Sequence, residues 1–164
     1  MPLFRIITPS APLRSGPFAN AALDSECLFG EAFETERSET GFAFGRLASD
    51  GYQGWVPDNC LGALPAPNAR VIVPMSDVTS QADIKSAGRF ALSLGALVTI
   101  TELQDDRAEM ITPNSSGFLP RQHLLRLAPR AADDKAASRV LGDVTRVDDW
   151  VAIAEKLVAS PYKW

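Results

Sequence analysis

The 164-residue sequence has one histidine, two cysteines and two tyrosines. Each scarcity excludes something. No apolar run approaches the ~18 residues that a membrane-spanning helix requires. The start, "MPLFRIITPSAPLR", has no basic opening, no apolar run of signal length and no small-residue cleavage site. A cytoplasmic chain is therefore expected. Cys27 and Cys60 stand in neither a CxxC nor a metal-like spacing, and His123 alone cannot complete a ligand set. Incidental thiols in a reducing compartment are expected, with no metal and no cofactor. Basic charge is scarce at the front. Residues 1–65 hold four Arg/Lys and eight Asp/Glu, whereas residues 66–129 and 130–164 each hold six of both. Nucleic-acid binding needs a basic face, and none is visible. Two tyrosines are too few for the aromatic groove of a proline-peptide binder.

What is present is a strand grammar over residues 1–128. Short β-branched or aromatic stretches alternate with Gly, Pro, Asn and Ser. "CLFGEAFETER" alternates after Gly30, and "LSLGALVTITEL" does so after Gly95. "GFAFGRLA" and "RAEMITP" read as middle strands. "GWVPDNCL" (54–61) then matches "GFLPRQHL" (117–124): Gly, aromatic, aliphatic, Pro, three residues, Leu. Gly30 precedes Gly54 by 24 residues, and Gly95 precedes Gly117 by 22. Matched motifs at matched spacing indicate an internal repeat.

The spacing predicts a mainly β chain with two tandem small barrels, at residues 1–65 and 66–129. Gly30 and Gly95 are expected where a side chain would crowd the backbone. Gly54 and Gly117 are expected to let the chain turn into the last strands. Trp55 and Phe118 are expected to fill the barrels. Pro57 and Pro120 should leave the strand and open a short helical turn, returning Leu61 and Leu124 to the core. Residues 130–147 are Ala-rich and charged, which predicts a linker. Residues 148–164 predict a helix: Asp148 or Asp149 caps it, Trp150, Ile153, Ala154 and Leu157 form its apolar stripe, and Pro161 ends it.

Together "APLRSGPFANAALDSECLFGEAFETER" and "DGYQGWVPDNCLG" resemble the first bacterial SH3-like barrel of NlpC-type cell-wall cysteine peptidases. "SLGALVTITE" and "SSGFLPRQHL" are similar to their second barrel, and "DDWVAIAEKLVASPYKW" to the first helix of their catalytic domain. The resemblance runs from Thr8 to Trp164. It implies a chain that stops at the threshold of its catalytic domain, with the nucleophilic cysteine and its histidine beyond Trp164. It also implies a substrate: a short murein peptide with a free N-terminal amine, cleaved between γ-D-glutamate and a diamino acid. In this layout the first barrel helps recognise that amine, the catalytic domain is a partner in cis, and the setting is cytoplasmic recycling of wall fragments. Neither membrane nor nucleic acid is an expected partner.

Three candidate contacts follow. Glu31 follows Gly30 in the acidic first repeat, and the second repeat has Ala96 there. The fold therefore does not require an acid, and a carboxylate can hold an ammonium by a charge-assisted hydrogen bond. The alternative is an ordinary exposed glutamate. Tyr52 lies at a loop end where the second repeat has only serines, and its polar tip suits ligand contact or packing on a neighbour. Asp50, nearby, is the next candidate for the amine. Trp55 is assigned to the core because Phe118 replaces it in the repeat. Cys60 and His123 could in principle form an activated thiolate–imidazole pair. They occupy equivalent positions in different repeats, however, and nothing brings them together. Cys27 reads as a buried small apolar residue. Two functions remain in view: a non-catalytic recognition region of a murein-peptide cysteine peptidase, and a stand-alone protein-interaction module. The apolar helix leading into "SPYKW" favours the first.

Overall fold

The computed structural model describes residues 1–127, with Glu155 and Val158. Apart from those two positions, the linker expected at 130–147 and the helix expected at 148–164 lie outside the described residues. Among the described residues no helix is long and apolar enough to cross a membrane.

The described chain is mainly β. The first repeat forms β1 (Leu3–Ile6), β2 (Ser10–Arg14), β3 (Leu23–Leu28), β4 (Ala32–Glu39), β5 (Phe42–Leu47), β6 (Gln53–Pro57) and β7 (Leu61–Gly62). They make one antiparallel sheet in the order β3-β2-β6-β5-β4-β1-β7. The second repeat forms β8 (Ala69–Val71), β9 (Met75–Thr79), β10 (Gly88–Ser93), β11 (Leu97–Val98), β12 (Ile100–Gln104), β13 (Arg107–Thr112), β14 (Ser115–Pro120) and β15 (Leu124–Arg126). These pair as β10-β9-β14-β13-β12 and β11-β8-β15. The second path is the first one cut once, between β11 and β12. The repeat legible in the glycine and proline spacing is thus a repeat of strand order.

Among the described residues the sheets do not close on themselves. The first sheet is open, ending at β3 and β7. β7 has only two residues, too few backbone groups to complete a ladder around the unit.

Strand alternation decides which side chains go inward. On β5, Ala43 and Leu47 are buried in one cluster with Ile6, Ala11, Leu13, Cys27, Phe33, Val56 and Cys60. On β6 the inward residue is Val56, fully buried, and not Trp55. Trp55 is only 6% exposed, but it lies outside that central cluster. Its ring packs on Phe44, its cross-strand neighbour, at 5.2 Å between centroids. The Arg37 guanidinium covers both rings, 4.2 Å from Phe44 and 5.0 Å from Trp55, a favourable cation–π arrangement. The second repeat obeys the same phase: Leu119 is fully buried, while Phe118 is intermediate. Gly54 and Gly117 lie within strands rather than at turns. A Cβ at Gly54 would stand 2.8 Å from Leu13 Cγ, and one at Gly117 would stand 2.5 Å from Val78 Cγ1. Each glycine lets an inward side chain of the adjacent strand pass. Pro57 and Pro120 close β6 and β14 and precede 3-10 turns at Asp58–Cys60 and Arg121–His123.

The second core contains Ala69, Val71, Val78, Leu92, Ala96, Val98, Ala108, Met110 and Leu119, with one member from the first repeat, Phe29. Phe29 is 1% exposed and stacks near Phe90 at 6.2 Å. Burying such a ring contributes on the order of 2–3 kcal/mol. The backbone follows the ring: Leu97 N–H donates to Phe29 O at 2.8 Å. Gly30 has φ +79°, and a Cβ there would lie 1.9 Å from Leu97 O. Only glycine satisfies both the left-handed conformation and this contact. Its counterpart Gly95, at φ +95°, faces Leu28 Cδ1 at 3.1 Å from a built Cβ. Equivalent turns of the two repeats therefore meet at one seam.

Candidate functional site

Glu31 sits at this seam. Its backbone closes the turn, with Glu31 N–H donating to Leu28 O at 3.1 Å and Ile6 N–H donating to Glu31 O at 3.0 Å. Its carboxylate is fixed as well: Oε2 accepts the Leu28 N–H at 2.7 Å. The second repeat makes the same turn with Ala96, whose N–H donates to Ser93 O at 3.1 Å. The turn thus forms in the second repeat without a carboxylate. Burial pushes its carboxyl above the usual range, the Leu28 N–H opposes that shift, Asp50 adds to it, and Arg70 opposes it.

Asp50 belongs to the turn after β5. Its Oδ1 accepts the Tyr52 N–H at 2.9 Å, and Gly51 between them takes φ +78°. The Ala48 N–H, bonded to Ala32 O at 2.9 Å, ties this turn to the start of β4. Asp50 is thereby held within electrostatic reach of Glu31. Tyr52 is 48% exposed on the same turn. The structure therefore groups Glu31 and Asp50, with Tyr52 beside Asp50.

The thiol candidates are kept apart. Cys27 and Cys60 are both free and buried in the first core. Burial pushes the Cys27 thiol up to about 12, with Glu31 and Asp50 adding to the shift; such a thiol is a poor nucleophile. Cys60 Sγ contacts Asn59 Oδ1 at 3.6 Å, whereas His123 Nδ1 lies 3.0 Å from Ser76 Oγ. Cys60 and His123 end equivalent 3-10 turns, and their carbonyls accept equivalent bonds from Ile7 and Ile72, each at 2.9 Å. A cavity of about 360 Å³ lined by Ala69, Leu103, Arg121, Leu124 and Arg126 contains none of these candidates.

Sequence reasoning missed Arg70. It lies on β8 between the core residues Ala69 and Val71 and pairs with Leu97 on β11. The repeat held the signal. Arg5 pairs with Gly62, one residue after Leu61, as Arg70 pairs with Leu125, one residue after Leu124. Both repeats therefore place an arginine at the same register. Arg5 Nη1 donates to Gly30 O at 2.8 Å, so both arginines border the turn that carries Glu31.

Residues 13–61 match the family described as the bacterial dipeptidyl-peptidase SH3 domain. Among solved structures, an NlpC/P60 family protein from Bacillus cereus ATCC 10987 aligns with a TM-score of 0.63 at 13% identity, over 85% of this chain and 63% of that one. The chain thus spans somewhat under two thirds of that protein. NlpC1 from Trichomonas vaginalis aligns with a TM-score of 0.34 at 15% identity, over 81% of this chain and 48% of that one. A comparison with curated proteins found no match. Residues 13–61 are thus similar to a bacterial dipeptidyl-peptidase SH3 domain, in a chain that shares its fold with an NlpC/P60 family protein.

Proposed function

We propose that this chain is the non-catalytic recognition region of a murein-peptide cysteine peptidase. Two SH3-like barrels, at residues 1–65 and 66–129, act beside a catalytic domain in cis during cytoplasmic recycling of wall peptides. The first barrel receives the free N-terminal amine of the peptide. The observation that supports this is the Glu31 carboxylate, held by the Leu28 N–H at 2.7 Å in a turn whose twin forms with alanine. Asp50 supplies a second negative charge nearby, and Tyr52 the exposed aromatic rim. A carboxylate held in place suits an ammonium, because the ordering cost is already met by the turn.

The test is titration of the 164-residue chain with L-alanyl-D-glutamate γ-methylamide and with its N-acetyl derivative, followed by amide NMR shifts. The free amine is expected to bind about tenfold or more tighter, the worth of one hydrogen bond to a charged group. Glu31→Gln should remove that difference. If the variant weakens both peptides equally, Glu31 only closes its turn and the amine is not read there.

A further inference from the structure

The cavity of about 360 Å³ in the second repeat is built mostly from residues that the first repeat does not share. Ala69, Leu103 and Leu124 make it apolar, and its charged members are Arg121 and Arg126. Strand register identifies the counterpart of each. Ala69 pairs with Val98 as Phe4 pairs with Phe33, so alanine stands where the first repeat has a phenylalanine ring. Leu103 pairs with Ala108 as Ser38 pairs with Ala43. Arg121 follows Pro120 as Asp58 follows Pro57, and Leu124 corresponds to Leu61, so Arg126 corresponds to Ala63. In the first repeat Ser38 Oγ donates to Asp58 Oδ1 at 3.5 Å, which joins two of these positions by a polar contact. In the second repeat the ring is gone, the hydroxyl is a leucine and the acid is an arginine. The fold therefore forms with neither arginine, and the exchange turns an occupied acidic corner into an open basic one.

Both arginines are carried on fixed backbone. The Arg121 N–H donates to Asp106 O at 2.8 Å, and Arg126 pairs with Ala69 across β15 and β8. Among the described residues neither guanidinium makes a hydrogen bond or an ion pair. Leu103 is 38% exposed beside them. Two free cations at an apolar concavity complement an anion that carries hydrocarbon. Its acid accepts the guanidinium N–H donors, and its body removes the leucines from water. A small polar anion would leave the leucines wet, and a cation would be repelled.

We propose that this cavity binds an aliphatic carboxylate, with the acid held by Arg121 and Arg126 and the hydrocarbon lying on Leu103 and Leu124. The site contains none of Glu31, Asp50 and Tyr52, so the proposal stands apart from the amine reading.

The experiment is titration of the 164-residue chain with octanoate, octylammonium and acetate, below the concentrations at which the longer probes form micelles, followed by amide NMR shifts. Octanoate is expected to give saturable shifts at Leu103, Arg121, Leu124 and Arg126. It should bind about tenfold tighter than either control. Arg121→Asp, which installs the first repeat's residue, should remove the advantage over octylammonium. Leu103→Ser, borrowed from the first repeat in the same way, should narrow the advantage over acetate. Arg126→Ala takes over if Arg121→Asp does not give a folded amide spectrum. Equal binding of octanoate and acetate would leave only an anion on surface arginines, and equal binding of octanoate and octylammonium only an apolar cleft. Either result overturns the proposal. So does the absence of saturable shifts at these four residues, or undiminished octanoate binding in the arginine variants.

Discussion

At the scale of single residues, burial acts alike on two acids that the sequence presents differently, Glu31 as a candidate contact and Cys27 as a core residue. Glu31 and Cys27 both have raised pKa values, with burial as the first cause. A group whose pKa is higher folded than unfolded favours the folded state while it stays protonated, and the advantage fades as the pH rises through its folded value. For Cys27 the window runs from the ordinary 9.0 to about 12. Urea midpoints should therefore hold steady up to about pH 9 and decline toward pH 12. The decline should be shallower in Cys27→Ala, where the common effects of other titrating groups persist. At pH 8 the native thiol should resist alkylation that unfolded chain undergoes readily. Fast labelling of Cys27 in the folded protein would show that the first core is open.

At the scale of elements, the turn at Leu28–Glu31 outranks any strand. Gly30→Ala combines a left-handed φ with a collision against Leu97 O, and neither strain can be relieved by rotating a side chain. The substitution should cost on the order of 3 kcal/mol, read as a fall in the urea midpoint. Gly41→Ala is the control: its φ of +84° carries similar backbone strain, but nothing stands within 4 Å. Equal losses from the two would mean that the seam contact contributes nothing. The sequence marked Gly30 and Gly95 because their spacing repeats. It also marked the strands, since glycine, proline and alternation are local signals. It expected Trp55 and Phe118 to fill the cores. Trp55 is buried, though outside the central cluster that holds Val56, and Phe118 is intermediate, because an alternating strand has two phases and both β6 residues are large and apolar. Size favoured the tryptophan; the phase set by Gly54 pointing at Leu13 favoured Val56. Arg70 was illegible for a different reason, since its influence on the Glu31 carboxyl depends on a turn forty residues earlier in the chain.

At the scale of the whole molecule, two repeats of one strand order are joined by a side chain that belongs to one and is buried in the other. Phe29→Ala should cost about 3–5 kcal/mol, the usual result of emptying a large aromatic site. The loss should fall on the second repeat, though the altered residue is in the first. In the wild type, amide signals from β5 and from β13 should disappear at the same urea concentration, as one cooperative unit. In the variant the β13 signals should go first. Coincident loss in both proteins would mean that the repeats are coupled by some other contact. Phe29 also has a consequence for the order of events during synthesis. A ribosome releases the first seven strands while the pocket for this ring is still unmade, because Leu119 is translated ninety residues after it. Until then the nascent chain exposes a phenylalanine on a tight turn, and a contact of such sequence separation is slow to close. The emerging protein should thus be most prone to aggregate, and most in need of a chaperone, in the interval between the two.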